Sequence, residues 1–235
     1  MQVNYDTMIE SNLERITKSG FAYDASLKCV RDERYCFAVY SNISGSHFTD
    51  AFYELQTLLS NEECGITFSA NNIDHTGGTF HFTFIQQVTF SQYNSHEITP
   101  KMVNKCHEIL LRILKPQLPF EIHYNKLIAV TNGLVLCSNK CDTDVNYIRE
   151  TYRAECKKHG LPLLEPYHLD ILHSTLFRFT HLAAPDEFLK KYECYLQNNI
   201  DYGYAVIDNF SIGHCTLKMN PNEVHALKNC STEAT

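Results

Sequence analysis

The sequence predicts an α+β fold with antiparallel sheets. Short apolar runs of strand length and longer amphipathic segments follow one another in the order strand, helix, strands, helix, hairpin, helix, strand, helix, strands. That grouping is typical of α+β proteins. A hydrophobic content of 44% over 235 residues is enough for one large domain or two small lobes. Two strands with a matching His-x-Thr pattern fall in comparable halves of the chain.

The first half of the chain begins with a segment of mixed character. We assign residues 1–34 to an N-terminal extension that contains a short helix over 6–18. Ser46 is interpreted as the cap of a later helix whose apolar residues share one face. The elements after the extension are a strand over 35–40, the helix from Ser46, a strand over 65–69, a polar loop over 71–78 and a strand over 78–86.

The second half opens with the clearest helix signal. Thr99 is the predicted N-cap, and Pro100 suits the first turn of the helix that follows. Later boundaries come from turn and capping residues. The elements are a hairpin about Asn132-Gly133 with arms at 120–131 and 134–138, a helix from the cap Asp142 to Gly160, a strand over 167–179, a helix over 185–197, strands over 204–207 and 210–219, and a disordered tail over 229–235.

Two stretches carry side chains that suggest chemistry. They are His81-Phe82-Thr83-Phe84 and His173-Ser174-Thr175-Leu176, each inside a predicted strand. Side chains alternate faces along a strand, so the His and the Thr of each stretch point the same way. An imidazole can move a proton, and a hydroxyl can donate a hydrogen bond to a phosphoryl oxygen. If the two strands face each other across a cleft, these side chains suit metal-free phosphodiester chemistry.

Composition argues against several classes of protein. The net charge of −7 is unlike that of a protein that coats long nucleic acid, since such proteins present a basic surface. We find neither a secretion signal nor an apolar run of membrane-spanning length. The ten cysteines show no paired spacing typical of zinc sites or disulfides. We therefore expect a cytoplasmic or nuclear protein that is not secreted, with reduced thiols, no metal and no membrane partner.

The two motifs resemble those of the two-histidine (2H) phosphoesterase superfamily, in particular its LigT-like branch of 2′-5′ RNA ligases and cyclic phosphodiesterases. The second motif is the closer match, because residues 173–178 have the H-x-T-L-x-R pattern. The order of elements over roughly 35–220 agrees as well. The first motif departs from the common form, with Phe84 where Leu is frequent and Gln86 at the step that matches Arg178.

The resemblance implies a bilobal, pseudo-twofold fold. Residues 35–228 would form a single domain in which two antiparallel sheets line a central cleft and the helices lie outside. It implies that His81 and His173 are the catalytic acid and base, with the assignment of the two roles left open. Thr83 and Thr175 would hold the substrate phosphate, and neither cofactor nor metal is implied.

Four further side chains are candidates for contact with the substrate. By strict alternation, Phe177 and Ile85 share the face of the motif histidines and could pack against a base. Arg178 lies on the opposite face unless a bulge intervenes, so a structural ion pair is as reasonable as a phosphate contact. By the same alternation, Gln86 also lies on the face opposite the motif histidines. Tyr167 is a weaker candidate, because most aromatic residues here belong to the core.

Two other histidines occur in similar short patterns. His47-Phe48-Thr49 is followed by Asp50, and we interpret it as the start of a helix with His47 at the surface. His214-Cys215-Thr216-Leu217 matches the motif fully and lies in a predicted strand. The family has a late strand at this place without a catalytic His, so we rank His173 above His214.

Three hypotheses for function remain open. The first is a phosphodiesterase, acting as a monomer on a small nucleotide or short oligonucleotide and not on long duplexes. Its candidate substrates are 2′,3′-cyclic phosphates, 2′-5′ linked oligonucleotides and cyclic dinucleotides. The second is a module of the same fold that binds nucleotides or RNA ends without turnover. The third is a scaffold with coincidental motifs. The presence of both histidines and both threonines favours the enzyme.

Overall fold

Three sheets form the framework, and the two His-x-Thr strands lie in different sheets. The computed structural model describes residues 4–28, 34–61, 64–69, 77–95, 97–165, 167–198, 200–219 and 225–231. The helices are α1 (Tyr5–Ser19), α2 (Asp50–Asn61), α3 (Phe90–Tyr93), α4 (Pro100–Ile113), α5 (Val145–Lys158) and α6 (Pro185–Gln197), with short 3-10 helices at Ala25–Lys28 and Lys115–Gln117. The strands are β1 (Tyr35–Asn42), β2 (Ser44–Phe48), β3 (Gly65–Ser69), β4 (Gly78–Thr79), β5 (His81–Val88), β6 (Phe120–Tyr124), β7 (Lys126–Val130), β8 (Gly133–Ser138), β9 (Lys140–Cys141), β10 (Leu172–Phe179), β11 (Gly203–Ile207), β12 (Asn209–Thr216) and β13 (His225–Ser231).

The sheet order places the two motif strands differently. β5, which carries His81, ends the sheet β13-β12-β1-β5, whereas β10, which carries His173, is the centre of the sheet β4-β3-β10-β8-β7. The third sheet has the order β2-β11-β6-β9, and the sequence did not predict it. Paired strands are antiparallel except β3 and β4, which run parallel. The predicted α+β fold with antiparallel sheets is confirmed, with this third sheet as an addition.

Side-chain caps determine where two of the long helices begin. The Thr99 hydroxyl accepts a hydrogen bond from the Met102 amide at the start of α4, as predicted. In α5 the cap is Asp144, whose carboxylate accepts from the Tyr147 amide. The predicted cap, Asp142, instead accepts from a backbone amide of β6. The prediction of Asp142 is therefore wrong, because either carboxylate can cap and tertiary contacts decide between them.

The predicted helix cap at Ser46 is also wrong. Residues 44–48 form β2, which pairs with β11, and His47 lies opposite Tyr204. The helix begins only at Asp50, where the Phe52 amide donates to the Thr49 carbonyl. Strand pairing across the chain has overridden a local capping signal. His47 is exposed, as predicted.

The hairpin about Asn132-Gly133 is confirmed, but its first arm is shorter than predicted. β7 and β8 pair up to Val130 and Gly133. The preceding residues form β6 of the third sheet, so the chain passes from one sheet to another at Asn125. The single arm predicted over 120–131 is therefore two strands.

The two ends of the chain differ from what the sequence predicts. β13 pairs with β12 as far as Ser231, so the predicted disorder is wrong for residues 229–231. Residues 232–235 lie outside the described part, as does most of the predicted polar loop, residues 71–76. At the other end, Tyr5 of α1 is buried against Ile128, Val135 and Cys137 of β7 and β8. No helix in the described ranges combines the length and apolarity needed to cross a bilayer.

Candidate active site

The two motif strands meet at one cavity of about 110 Å³. His81 and Thr83 of β5 line it together with His173 and Thr175 of β10. One water needs only about 10–15 Å³ of such volume, so there is room for a phosphoryl group. The other lining residues are Cys36, Ala38, Gln86, Phe90, Tyr167, Leu169, Arg178, Leu217 and Met219.

A β-bulge follows the threonine of the first motif. Thr83 pairs with Tyr40 of β1, and the next pair joins Ile85 to Val39. Phe84 is therefore an extra residue in β5, without a partner of its own in β1. Such an insertion reverses which face the following side chains occupy.

The second motif carries a bulge at the matching position. Thr175 pairs with Val135 of β8, and the next pair joins Phe177 to Leu134. Leu176 is thus the extra residue in β10. Both motif strands change face immediately after their threonine, so the correspondence between the two halves extends beyond the His-x-Thr letters.

The bulges decide which of the candidate contact residues reach the cavity. Gln86 and Arg178 line it, although strict alternation had placed them on the far face. Phe177 and Ile85 are fully buried in the hydrophobic core, with no exposed surface. Their predicted contact with a substrate base is therefore wrong, because the alternation on which it rested stops at the bulges. Tyr167 lines the cavity and is 60% exposed.

His81 is held by the backbone just before it. Its Nδ1 lies 2.6 Å from the Thr79 carbonyl oxygen, which can only accept, so Nδ1 carries the hydrogen. The neutral ring therefore has its lone pair on Nε2, the nitrogen left for proton transfer. Burial lowers the pKa of His81 to about 4, and the Arg178 charge contributes in the same direction, while the Thr79 bond opposes them.

His173 is held less completely. Its Nδ1 is buried and has no hydrogen-bond partner among the described residues. Burial, together with the charges of Arg149, Arg178 and His81, lowers the pKa of His173 to about 3. A buried nitrogen without a partner beside an open cavity is a polar group that a bound ligand or water can satisfy.

Arg178 supplies positive charge at the cavity wall. Its Nη2 donates to the Thr175 hydroxyl at 3.4 Å, and its Nη1 donates to the Asn132 side chain. Its Nε is buried and has no partner among the described residues. Burial lowers the pKa of Arg178, although a guanidinium stays charged at neutral pH.

Arg149 of α5 was not predicted as a site residue from the sequence. Its side chain is fully buried and donates hydrogen bonds to carbonyls of β5 and to the carbonyl just before β10. A signal was present, because position 149 falls four residues after Val145 and three before Tyr152, within the apolar stripe of the helix. A charged residue on a buried helix face indicates a specific partner.

The remaining motif-like histidine lies apart from the cavity lining. His214 of β12 is hydrogen-bonded through Nδ1 to the Tyr93 hydroxyl and lies opposite Phe37 of β1. Of the four His-x-Thr patterns in the described part of the chain, the structure brings together those of His81 and His173.

These pKa shifts predict an unusual pH dependence for any reaction that needs one neutral and one charged imidazole. The profile of kcat/KM reports the free protein. Because burial lowers both pKa values from 6.5, to about 4 and about 3, the singly protonated form is lost as pH rises above about 4. We expect a bell-shaped profile of kcat/KM with its alkaline limb below pH 6.5.

The alkaline limb of kcat should lie at higher pH, because a bound phosphate anion favours the imidazolium. Initial rates measured from pH 3 to 9 check this, and an alkaline limb of kcat/KM at or above 6.5 would contradict it.

Comparison with known proteins shows a likeness of fold. No family model and no curated protein matches the chain. Among solved structures, TT0787 of Thermus thermophilus matches with a TM-score of 0.52 and 12% identity, over 85% of this chain and 100% of that one. E. coli LigT complexed with 3′-AMP matches at 0.44 and 11%, over 86% and 96%. The MHV ns2 PDE domain matches at 0.41 and 14%, over 62% and 84%. At these identities the likeness is one of fold, and the match to TT0787 carries it.

Proposed function

We propose that the protein is a metal-independent phosphodiesterase that cleaves a small nucleotide phosphodiester, with His81 and His173 as its acid and base. The observation that supports this proposal is the shared cavity, lined by the imidazole and the hydroxyl of both motifs. Each half of the protein contributes one imidazole, so a phosphodiester in the cavity has a proton donor or acceptor from both sides. That arrangement suits an in-line displacement at phosphorus.

The reaction needs two proton transfers. One neutral imidazole takes the proton of the nucleophile, which is water or a ribose hydroxyl. The other, as imidazolium, donates a proton to the leaving oxygen, and the two exchange roles in the reverse direction. His81 suits either role through Nε2, because the Thr79 carbonyl already holds its Nδ1–H.

The charge on the phosphoryl oxygens is met by other side chains of the cavity. Thr83 and Thr175 donate hydrogen bonds to the non-bridging oxygens, and Arg178 offsets the negative charge that develops in the transition state. The same phosphate raises the pKa of both imidazoles, because it counters the positive charge of Arg178. Substrate binding thus favours the imidazolium, which the buried and positively charged surroundings disfavour in the free protein.

The dimensions of the cavity favour a small substrate. A volume of about 110 Å³ accepts a phosphoryl group and little more, so the rest of the substrate lies at the mouth. Tyr167 and Phe90 line the cavity without being fully buried, so each offers a ring on which a base can stack. The candidates are 2′,3′-cyclic phosphates, 2′-5′ linked oligonucleotides and cyclic dinucleotides.

Turnover of at least one of these three substrate classes is expected, and it should survive EDTA. The two imidazoles account for both proton transfers, and Arg178 with the threonines accounts for charge, so no step requires a metal ion. The measurement is the rate of product formation, monitored by chromatography with and without an excess of EDTA. Loss of turnover with chelator that a divalent ion restores would refute the metal-free mechanism. Binding of all three classes without turnover would indicate instead a module that holds nucleotides.

A further inference from the structure

Arg149 has an unusual environment for a charged side chain. It is fully buried, and every acceptor that it binds in the described part of the chain is neutral. Its Nε donates to the Phe84 carbonyl at 2.8 Å, and its Nη2 donates to the Thr83 carbonyl at 3.2 Å. Its Nη1 donates to the Ile171 carbonyl at 2.9 Å and to the Asn146 side chain at 3.0 Å.

The backbone acceptors lie on β5 and immediately before β10. Thr83 and Phe84 form the bulge of β5, where the ladder is interrupted and a carbonyl needs another donor. Ile171 immediately precedes β10 and lies two residues before His173. One guanidinium therefore joins the bulge after the first motif to the start of the second. These strands lie in different sheets, so no backbone ladder sets their separation.

Only arginine can make this connection. The guanidinium holds five donors in a rigid plane, and three of them here point at the carbonyls of Thr83, Phe84 and Ile171. A lysine ammonium keeps the charge but replaces the fork with one compact donor group on a flexible chain. The guanidinium carbon Cζ also lies over the rings of Phe82 and Phe84, at 5.6 and 5.9 Å from the ring centroids.

The charge itself is costly where it stands. Burial lowers the pKa of Arg149 to about 10, with Arg153 acting in the same direction and Glu165, Tyr5 and Asp170 opposing. A buried charge without a bonded counter-ion destabilises a fold, so a residue needed only to fill this space would be apolar. An anion in the neighbouring cavity would offset that cost.

We propose that Arg149 is a positioning residue of the reaction, which holds the bulge of β5 and the start of β10 at the separation that lets two imidazoles reach one phosphodiester. This inference rests on the function proposed above. It makes the distance between the two histidines depend on a side chain that does not touch the substrate.

Two substitutions separate the fork of Arg149 from its charge. Arg149→Lys keeps a cation and loses the three-carbonyl connection, and Arg149→Met loses both. A misplacement of about 1 Å costs roughly 10²-fold in rate, so both variants should lower kcat by about that factor, with a smaller change in KM. Tyr192→Phe is the matched control, because it also removes buried hydrogen bonds, to Leu127 and Ala129 of β7, and Tyr192 does not line the cavity.

A second readout responds to the charge alone. The groups that act on the His173 imidazole are Arg149 from α5, Arg178 from its own strand and His81 from β5. Arg149→Met removes one of these cations, so a titration of the His173 ring by NMR should move to higher pH. Arg149→Lys and Tyr192→Phe should leave that titration near the wild-type position.

The outcomes separate this inference from the proposed function. Loss of kcat in both Arg149 variants, beyond any loss in Tyr192→Phe, supports it. Folded Arg149 variants with wild-type kcat, or with losses equal to that of the control, overturn it. If Arg149→Met does not fold, Arg149→Lys alone decides by the same criterion. A wild-type protein that turns over none of the three substrate classes would overturn the proposed function and this inference with it. An active wild type whose Arg149 variants keep the wild-type kcat would overturn this inference alone.

Discussion

Alanine at either His81 or His173 is expected to lower kcat/KM by about 10²–10⁴-fold, the usual contribution of one positioned proton-transfer group. Both imidazoles line the cavity, and each variant leaves the other histidine, both threonines and Arg178 in place. The loss should appear mainly in kcat, because proton transfer belongs to the transition state more than to substrate binding. Steady-state kinetics on the best substrate of the panel measures it.

Two other histidines provide matched controls. His47 is exposed on β2, and His214 is bonded to Tyr93 on β12, away from the cavity lining. His47→Ala and His214→Ala should retain wild-type kcat/KM within a few-fold when they fold. A loss of kcat/KM in His214→Ala equal to the loss in His173→Ala would show that the second catalytic role has been assigned to the wrong strand.

The second large effect is expected at Arg178. Removing one group that stabilises transition-state charge costs about 10²–10³-fold in rate, so Arg178→Met should lower kcat/KM by about that factor. The charge of Arg178 also lowers the pKa of both His81 and His173. Its loss should therefore raise both pKa values and move the alkaline limb of kcat/KM to higher pH. The same pH series measures both effects.

Gln86 is the natural control for Arg178. It occupies the matching step after the first bulge and lines the same cavity, but it is neutral. Gln86→Met should cost less in rate and leave the pH limbs in place, because it removes no charge. If Arg178→Met costs no more in rate than Gln86→Met and leaves the limbs where they are, the phosphate role is refuted and the contact of Arg178 with Asn132 is structural.

Local signals in the sequence predicted the elements that local interactions determine. The Thr99 cap of α4 and the Asn132-Gly133 hairpin depend on residues within a few positions of one another, and both are present. Ser46 is the counterexample. Its capping signal was local, but residues 44–48 pair with β11, which lies far along the chain.

The composition of the cavity was harder to predict, because it depends on register. Bulges in β5, opposite β1, and in β10, opposite β8, change the face on which the following side chains lie. A single sequence does not show where such a shift of register occurs. The His-x-Thr pairs precede the bulges and were therefore placed correctly on one face. Phe177 and Ile85 follow them and were not.

The most direct test of the two-histidine mechanism is single-turnover cleavage by the double variant His81→Ala/His173→Ala, compared with the wild type and both single variants in EDTA. Because the acid and base act as a unit, the double variant should lose about as much as the worse single variant, well short of the product of the two losses. Circular dichroism establishes that the variant is folded. The mechanism predicts that the wild type turns over substrate and that the rate of the double variant does not exceed the rate of the single variants. Cleavage by the folded double variant at the wild-type rate would contradict it and place the chemistry outside this cavity.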